Sequence, residues 1–531
     1  MTVALSEHVR ERTASGRRLE FMLKDLRTRR VPVRWSNLFG VVALASIVVL
    51  LVTGVILMFA YAPSSDPIVY SGSYAPLHGV EVSKAFDSVL RLTVELPGGL
   101  LLRQLHHWAA LLLPAAIIMQ LLVNFFTGAF RRPRRGSWVL LFLIFIMSMA
   151  AGWSGYALPD DMLSGSGLRI VHGIVLGIPV VGTWIATLLF GGEFPGRIVE
   201  NLYVVHVIVP VALVGLLAVR GWLSLRHKSP QFAGPGRSQR TIVGVPMLPN
   251  AAIRAGGFMV LVTGVLVFIA ANVTISPTVA PSDPGNASAG SQPDWYTGFL
   301  DGALRLVPPG WELELLGRTW TFAVLAPLTV IGVYMVLIAV YPFIEGWITR
   351  DRSEHHLLDR PRNTPTRTAV GVAGMTFYAV LWATASADVT AMLFSLTLES
   401  IIHAMQIALL VGPVVAFGLT REICLALQKR DHEVALHGFE TGRIVRLPGG
   451  EYVEMHTAVN SDEQWRLAGG SRPASVPARP NEAGRLSVIE RARGRLASFF
   501  FEDRIVPHAE SSTEPVLDQP SATSAGTRSI L

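Results

Sequence analysis

The stretch from residue 103 to residue 126 reads RQLHHWAALLLPAAIIMQLLVNFF and decides the fold class of this chain. After its two adjacent histidines, His106 and His107, the only amide or charged side chains are Gln120 and Asn124. About 20 apolar residues in a row can cross the ~30 Å hydrocarbon core of a membrane. The stretch therefore predicts a transmembrane helix that carries histidines near one membrane surface.

The same composition extends over the whole chain of 531 residues. Hydrophobic residues make up 51% of it and charged residues 16%, and the mean hydropathy is +0.44, which excludes an ordinary water-soluble globule. We therefore predict an all-α, polytopic membrane protein. The 20-residue criterion predicts about eight transmembrane helices, near residues 37–60, 104–126, 137–157, 200–222, 252–275, 320–344, 369–388 and 400–427.

Charge in the connecting loops predicts the orientation of these helices. Arginine and lysine cluster after the second, fourth and sixth helices, at residues 131–135, 226–240 and 350–367, and such clusters mark the cytoplasmic side of a membrane. Leu168–Gly192 is also apolar, but a ninth crossing there would invert every later loop, so it predicts short helices at the outer surface. Both termini are then expected in the cytoplasm.

The two ends of the chain differ from its middle. Residues 1–36 are polar and basic, too long and too charged for a cleavable signal peptide, and predict a cytoplasmic arm. Residues 431–531 are polar and rich in Arg, Ser and Pro. They predict a cytoplasmic tail that is partly disordered toward Leu531.

Charge and cysteine content exclude several classes of function. The formal net charge is +7, but the positive residues adjoin the predicted helices, where the positive-inside rule accounts for them, so we exclude nucleic-acid binding. The one cysteine, Cys424, excludes a disulfide framework, a four-cysteine zinc site and an iron–sulfur cluster held by cysteines of this chain. Any redox centre must use other ligands.

Histidine inside a transmembrane helix is energetically costly and needs a partner. His106 begins the second predicted helix and His206 lies early in the fourth, so both lie at one depth near the outer surface. Two imidazoles at one depth can supply both axial ligands of a haem iron, whereas a single one is also typical of a hydrogen bond to a neighbouring helix. His107 is expected to pack beside this position or to hydrogen-bond a neighbour, and His355–His356 predicts a solvated loop rather than a metal pair.

Glycine spacing adds a second, independent signal. Helices that approach a flat macrocycle closely need residues without side chains. Gly40 and Gly54 lie 14 residues apart in the first predicted helix, which places them on the same helix face about 21 Å apart. Gly155, at the outer end of the third helix, matches Gly54 in depth. The pattern indicates a cofactor beside the outer histidines, although each glycine alone is also typical of plain helix packing.

Six short motifs extend this pattern, namely RQLHHW at 103–108, FFTGAFRRP at 125–133, GYALPDD at 155–161, GGEFPG at 191–196, QFAGPGR at 231–237 and QPDWY at 292–296. With them the chain resembles cytochrome b of the quinol–cytochrome c reductase (cytochrome bc) complex, in its actinobacterial form. The resemblance extends from the region of Trp35 to that of His456.

The resemblance implies two helical domains inside the membrane. Residues 37–230 would form a four-helix bundle that binds haem b at its outer end through His106 and His206. Residues 231–430 would form a C-terminal helical domain that carries the quinol site.

The resemblance also implies an outer quinol-oxidation pocket. In the family a motif usually written PEWY lines this pocket, and here it reads PDWY. Asp294 would be the proton acceptor and Tyr296 its hydrogen-bonding neighbour, with Pro293 and Trp295 lining the pocket. The alternative for Asp294 is a loop aspartate that caps a helix starting near Trp295. Arg103 either pairs with a haem propionate or anchors its helix at the membrane surface.

The chain departs from the family at the second haem, which needs two histidines 14 or 15 residues further along the second and fourth helices. Those positions hold other residue types, namely Gln120, Arg220 and Gly221. Glutamine is at best a weak iron ligand, and arginine cannot be deprotonated to act as one. Leu141 stands where the family has a glycine, although Gly40 is retained, and His227 lies among basic residues that end a helix.

We therefore expect one haem b and an impaired Q cycle, because about 21 Å of apolar core would lack an electron relay. The expected function is a quinol-oxidising subunit of an oxidoreductase in the bacterial plasma membrane. Expected partners are a Rieske iron–sulfur protein, a cytochrome c and membrane lipid, with a terminal oxidase and a dimeric complex as further candidates. The resemblance implies menaquinol as the substrate.

Two other classes of function stay open. A divergent paralogue could keep the fold as a non-catalytic assembly or interaction subunit, although the retained outer histidines and the PDWY motif weigh against it. A transporter is the least favoured class of function, because the intramembrane polar groups cluster near one face and do not form a path through the midplane.

Overall fold

The structure is a computed structural model that describes residues 14–192, 194–274, 280–283, 292–467 and 486–501. Its helices are α1 (Ala14–Thr28), α2 (Leu38–Met58), α3 (Lys84–Val94), α4 (Gly99–Phe126), α5 (Arg135–Ala157), α6 (Met162–Leu176), α7 (Gly182–Phe190), α8 (Ile198–Arg226), α9 (Ala252–Asn272), α10 (Gly298–Arg305), α11 (Phe322–Thr349), α12 (Pro365–Ala385), α13 (Ala387–Phe394), α14 (Leu398–His437), α15 (Ser461–Leu467) and α16 (Val488–Phe501). The predicted disorder near Leu531, the start of the arm and Glu193 of the fourth motif lie outside the described residues.

Eight of the described helices are long and apolar enough to cross a membrane, namely α2, α4, α5, α8, α9, α11, α12 and α14. They coincide with the eight predicted segments, so the all-α, polytopic fold is confirmed. The segment Leu168–Gly192 holds the second half of the 15-residue α6, which ends at Leu176, and the nine-residue α7. Both are too short to span ~30 Å at about 1.5 Å per residue.

Short strands occur only between and after the helices of the described part of the chain. They form two-stranded sheets: β1 (Arg30–Val31) with β5 (Val245–Pro246), β2 (Pro67–Val69) with β3 (Glu81–Ser83), β4 (Gln231–Phe232) with β8 (Leu357–Leu358), β6 (Glu312–Leu315) with β7 (Arg318–Thr321), and β9 (Phe439–Arg446) with β10 (Tyr452–Thr457). The β9–β10 hairpin gives part of the predicted tail a regular structure.

The first four transmembrane helices pack as a bundle in which α2 lies along α4 and α5 lies along α8. One core cluster takes side chains from all four helices, with Ile47 from α2, Ile117 from α4, Leu141 from α5 and Leu213 from α8. Each of these side chains is less than a tenth exposed. Close packing of this kind fixes the depth at which residues of facing helices meet.

The later helices bring α10 against the bundle. Gly302 of α10 lies against α12 so closely that a Cβ there would come within 1.8 Å of the Leu381 carbonyl oxygen. Phe299 of α10 and Leu381 share a buried cluster, and both are almost fully buried. The loop before α10 is thereby held beside α4 and α5.

A buried network of charges joins three segments at the arginine-rich ends of the helices. Arg367 of α12 donates to both carboxylate oxygens of Glu345 on α11, at 2.9 and 2.5 Å. Its third nitrogen donates to Asp359 at 2.7 Å, and Arg131 lies 2.9 Å from the same oxygen. The network connects the α4–α5 loop to α11 and α12.

We expect Arg367→Gln to destabilise the fold by about 3–5 kcal/mol, because it leaves the buried Glu345 without its partner and Asp359 with Arg131 alone. The measurement is the thermal unfolding midpoint of the purified protein in detergent. Lys84→Gln is the control, since the exposed pair of Lys84 and Asp66 should contribute little. Equal midpoints for both variants would contradict this role of the network.

The same network predicts a dependence of stability on pH. Burial alone would raise the pKa of Asp359 above its ordinary 3.8, but the charges of Arg131 and Arg367 outweigh burial and hold this pKa at about 2. A folded pKa below the unfolded pKa stabilises the fold above about pH 4, and this contribution is lost as the pH falls toward 2. Between about pH 5 and pH 3, the unfolding midpoint of Asp359→Asn should therefore fall less than that of the wild type. Parallel curves would contradict the pairing.

The predicted solvated loop at His355–His356 is wrong. Both side chains are buried, at 6% and 5% exposure. His355 Nε2 lies 2.5 Å from Asp351 Oδ2, and the His355 backbone N–H donates to the Arg132 carbonyl. The loop folds back onto the α4–α5 connection, which covers both imidazoles.

Candidate functional site

Two histidines from different helices face each other inside the bundle. His106 of α4 and His206 of α8 have ring centroids 6.2 Å apart, with their planes inclined by 64°. A metal ion bound between two imidazoles, at about 2 Å from each nitrogen, requires a ring separation of this size. The pair therefore has the spacing needed to hold one metal from both sides.

Hydrogen bonds fix the protonation of both rings. His206 Nδ1 lies 2.9 Å from the Ala151 carbonyl oxygen, which can only accept, so this nitrogen carries the proton. His106 Nδ1 lies 2.8 Å from the Thr53 hydroxyl, whose own proton is donated to the Val49 carbonyl at 2.7 Å. Each imidazole therefore leaves Nε2 unprotonated, which is the form that coordinates a metal.

Two glycines make room for these rings. A Cβ on Gly54 would lie 3.2 Å from His106 Cε1, and a Cβ on Gly155 would lie 2.6 Å from His206 Cε1. The second distance is shorter than any normal carbon contact, so position 155 tolerates only glycine unless His206 moves. The predicted glycines thus face the imidazoles themselves.

A carboxylate lies beside His107, the residue that follows His106, in the loop that precedes α10. The Tyr296 hydroxyl donates to Asp294 Oδ2 at 2.8 Å, and Tyr296 is only 1% exposed. Burial and the charge of Asp294 raise the pKa of Tyr296 well above its ordinary value of 10. The phenol therefore stays protonated and holds Oδ2 of the carboxylate, while Oδ1 lies 3.5 Å from His107 Nε2.

The loop is positioned by contacts with three helices. A Cβ on Gly152 of α5 would lie 2.6 Å from the Tyr296 hydroxyl, so this glycine admits the phenol. The indole N–H of Trp295 donates to the Leu111 carbonyl of α4 at 3.3 Å. Trp382 of α12 donates its indole N–H to the Trp295 carbonyl at 3.0 Å. Pro293 lies in the same loop.

The alternative that the Asp294 side chain caps a helix starting near Trp295 is wrong. Only its backbone carbonyl accepts from the Thr297 amide and hydroxyl, while its carboxylate points to Tyr296 and His107. Helix α10 begins at Gly298. The carboxylate is therefore free of the helix end.

Sequence reasoning missed Gly152 and Trp382. It singled out His107 without naming its partner, and the structure places His107 Nε2 3.5 Å from Asp294 Oδ1. Gly152 could have been found, because it precedes Gly155 by one helical turn and so lies on the same face of α5. No sequence signal pairs His107 or Trp382 with the loop.

The outer and inner halves of the bundle differ in their fit to haem. The outer pair fits, since two imidazoles with unprotonated Nε2 atoms meet across the bundle beside glycines. The inner positions do not fit, because Gln120 bonds the side chain of Asn124 at 3.1 Å and lies against Gly40. Leu141, 4% exposed, belongs to the four-helix core cluster at this level.

The remaining predicted residues are Arg103, Arg220 and Gly221. Arg220 and Gly221 occupy the last turns of α8, and neither is a haem ligand type. The Arg103 guanidinium donates to the Thr93 hydroxyl of α3 at 3.1 Å, which connects α4 to α3. This contact is compatible with an anchoring role.

Comparison with known proteins gives the same family. The family model described as Cytochrome b(N-terminal)/b6/petB matches residues 111–283. The cytochrome bc1 complex cytochrome b subunit of Streptomyces coelicolor is 43% identical over 505 residues, covering 93% of this chain and 92% of the relative. The subunit of the same name in Mycobacterium tuberculosis is 43% identical over 436 residues, covering 80% and 78%.

A solved structure has a similar fold. One chain of a hyperthermophilic respiratory Complex III aligns with a TM-score of 0.56 and 19% identity, over 78% of this chain and 99% of that chain. The eight apolar helices and the relatives indicate a multi-pass protein of the bacterial plasma membrane, and the family implies haem b. The chain therefore belongs to the cytochrome b subunits of the cytochrome bc1 complex, the bc1-type respiratory complex III.

Proposed function

We propose that this chain is a quinol-oxidising subunit that holds a single haem b between His106 and His206. The observation that carries the proposal is that α4 contributes one residue to the histidine pair and the next residue to the contact with Asp294. His106 faces His206, while the next residue, His107, lies 3.5 Å from Asp294. A candidate proton acceptor thus contacts the same helix that carries a candidate haem ligand.

The residues of this chain divide the chemistry of quinol oxidation among them. Oxidation of a quinol to a quinone releases two protons and two electrons. Haem b, when bound by His106 and His206, supplies an acceptor for one electron. Asp294 takes a proton from a quinol hydroxyl, and Tyr296 holds the carboxylate in position by its hydrogen bond. Trp295, held by α4 and α12, closes the pocket wall.

Partners must supply the other electron acceptors. A Rieske iron–sulfur protein fits this need, because the chain has a single cysteine. Relatives are named as subunits of the cytochrome bc1 complex, which supports a Rieske protein and a cytochrome c as partners. A terminal oxidase, a dimeric complex and menaquinol as substrate complete the proposal, with both termini in the cytoplasm by the charge of the loops.

A single haem has a consequence for the Q cycle. The inner positions lie 14 residues beyond the outer ligands, a separation of about 21 Å along a helix. With Gln120 and Arg220 at those positions, electrons at the outer haem lack a relay across the bundle, and the complete cycle is impaired. We place the boundary between the haem bundle and the quinol-site helices at residues 230 and 231.

The test is the haem content of the complex purified with its partners, measured as pyridine haemochrome per polypeptide, together with quinol-dependent reduction. We expect one haem per chain and reduction by quinol. Two haems would contradict the single-haem proposal. No haem, or no reduction by quinol, would favour the non-catalytic assembly subunit.

We expect Gly155→Ala to lower the haem content, because the added methyl group would lie 2.6 Å from His206 Cε1 and displace the ligand ring. The matched control is Gly215→Ala in α8, where a Cβ meets no atom within 4 Å. Haem per chain is measured for both variants after purification. Full haem content in Gly155→Ala would show that His206 does not need this space.

A further inference from the structure

The last described helix, α16, lies against the ends of two transmembrane helices. Its Glu490 forms an ion pair with Arg350, directly after α11. The Arg493 guanidinium carbon lies 5.3 Å from the ring centroid of Trp347, in the last turn of α11. The hydroxyl of Thr366, in the first turn of α12, donates to the Phe499 carbonyl. Helix α16 therefore lies at the depth where α11 and α12 leave the membrane.

Helix α16 begins with a stable cap. The Ser487 hydroxyl accepts a hydrogen bond from the Glu490 amide at 3.1 Å, as expected for an N-cap serine. Glu490 also lies 3.4 Å from Arg493 one turn later. The helix is thus fixed at its start by both its cap and its contact with α11.

An apolar face of α16 is left uncovered. Val488 is 72% exposed, Ile489 66%, Leu496 43% and Phe499 53%. At 100° per residue these four side chains fall within an arc of about 100° on one side of the helix. The residues that contact α11 lie on the adjoining side. No described residue therefore packs on this exposed apolar arc, which is separate from the side that contacts α11.

Positive charge borders this face. Arg491 and Arg495 are exposed and lie beside Val488 on the helix surface. An amphipathic helix with an apolar face and flanking arginines is typical of segments that lie in the membrane interface, about 5–10 Å into the headgroup–acyl boundary.

We propose that α16 is an interfacial anchor whose exposed apolar face inserts into the leaflet on the side of the arginine-rich loops, with anionic phospholipid as its partner. The position at the ends of α11 and α12 sets the depth, and Arg491 and Arg495 attract the lipid phosphates. The predicted cytoplasmic tail would then be held on the membrane surface near its end.

The experiment uses spin labels on the full-length protein in nanodiscs of phosphatidylcholine and phosphatidylglycerol. Single cysteines are introduced as Ile489→Cys on the apolar face and Gly494→Cys, an exposed position on the other side where a Cβ meets no atom within 4 Å. Val260→Cys on α9, 73% exposed, is the reference for a lipid-facing site. All three are made with Cys424→Ser. The measured quantity is the ratio of collisions with oxygen to collisions with a water-soluble nickel complex.

We expect a high ratio at position 489, close to that at position 260, and a low ratio at position 494. Replacing phosphatidylglycerol with phosphatidylcholine should lower the ratio at position 489, and an unchanged ratio would overturn the role of anionic lipid. Preference for nickel at both positions would show a face open to water and overturn the anchor. Shielding of position 489 from both reagents would show a protein cover, either a second copy or another subunit, and also overturn it.

Discussion

His206→Ala is expected to remove haem b from the purified protein and to reduce quinol-dependent electron transfer to background. The physical reason is the pairing of two imidazoles whose ring centroids lie 6.2 Å apart. A single axial ligand from His106 leaves the other face of the iron without a protein bond. Haem per chain is measured as pyridine haemochrome, beside the unfolding midpoint of the apoprotein.

The matched control is Gln120→Ala. Gln120 lies on α4 at the inner position where the family has a histidine, and its amide bonds only the side chain of Asn124 at 3.1 Å. This variant should keep its haem and its quinol-dependent reduction. Haem retained in His206→Ala but lost in Gln120→Ala would reverse the assignment of the two sites.

The second large effect is expected for Asp294→Asn. The amide cannot accept a proton as a carboxylate does, and loss of a positioned base lowers a rate by about 10²-fold or more. Haem content should be unchanged, because Asp294 lies in the loop before α10 and the proposed iron ligands lie on α4 and α8. The measurement is the steady-state rate of cytochrome c reduction by quinol with the partner subunits present.

Two further variants separate chemistry from packing. Tyr296→Phe keeps the buried ring and the carboxylate but loses the 2.8 Å hydrogen bond, so it should lower the rate less than Asp294→Asn. Asp301→Asn changes a carboxylate that pairs with Arg305 on α10 and should leave the rate near that of the wild type. A normal rate in Asp294→Asn would favour the non-catalytic subunit.

Some features of the site depend on helix rotation and loop path, which a local pattern does not record. His107 follows His106 in sequence, yet its contact is Asp294, 3.5 Å away and far along the chain. Gly152 meets the Tyr296 hydroxyl for the same reason. Such contacts arise when α10 packs on α12 and carries its preceding loop to the bundle.

Burial of the loop histidines also came from tertiary packing. His355 and His356 stand among charged residues, a composition typical of solvated loops. The structure covers them because the loop pairs β8 with β4 and folds onto the α4–α5 connection. Local composition indicates the average environment of a residue type, but it does not predict which distant segment packs over a given residue.

The sequence alone established the eight transmembrane segments, the shared depth of His106 and His206 and the presence of Gln120 and Arg220, which are not haem ligand types, at the inner positions. Each follows from length, spacing or residue type along one helix, and the membrane imposes a fixed thickness on every span. The contact of His107 with Asp294, the burial of His355 and the place of α16 are visible only in the folded structure. These depend on how helices rotate and pack against partners distant in sequence, where side-chain fit sets the distances.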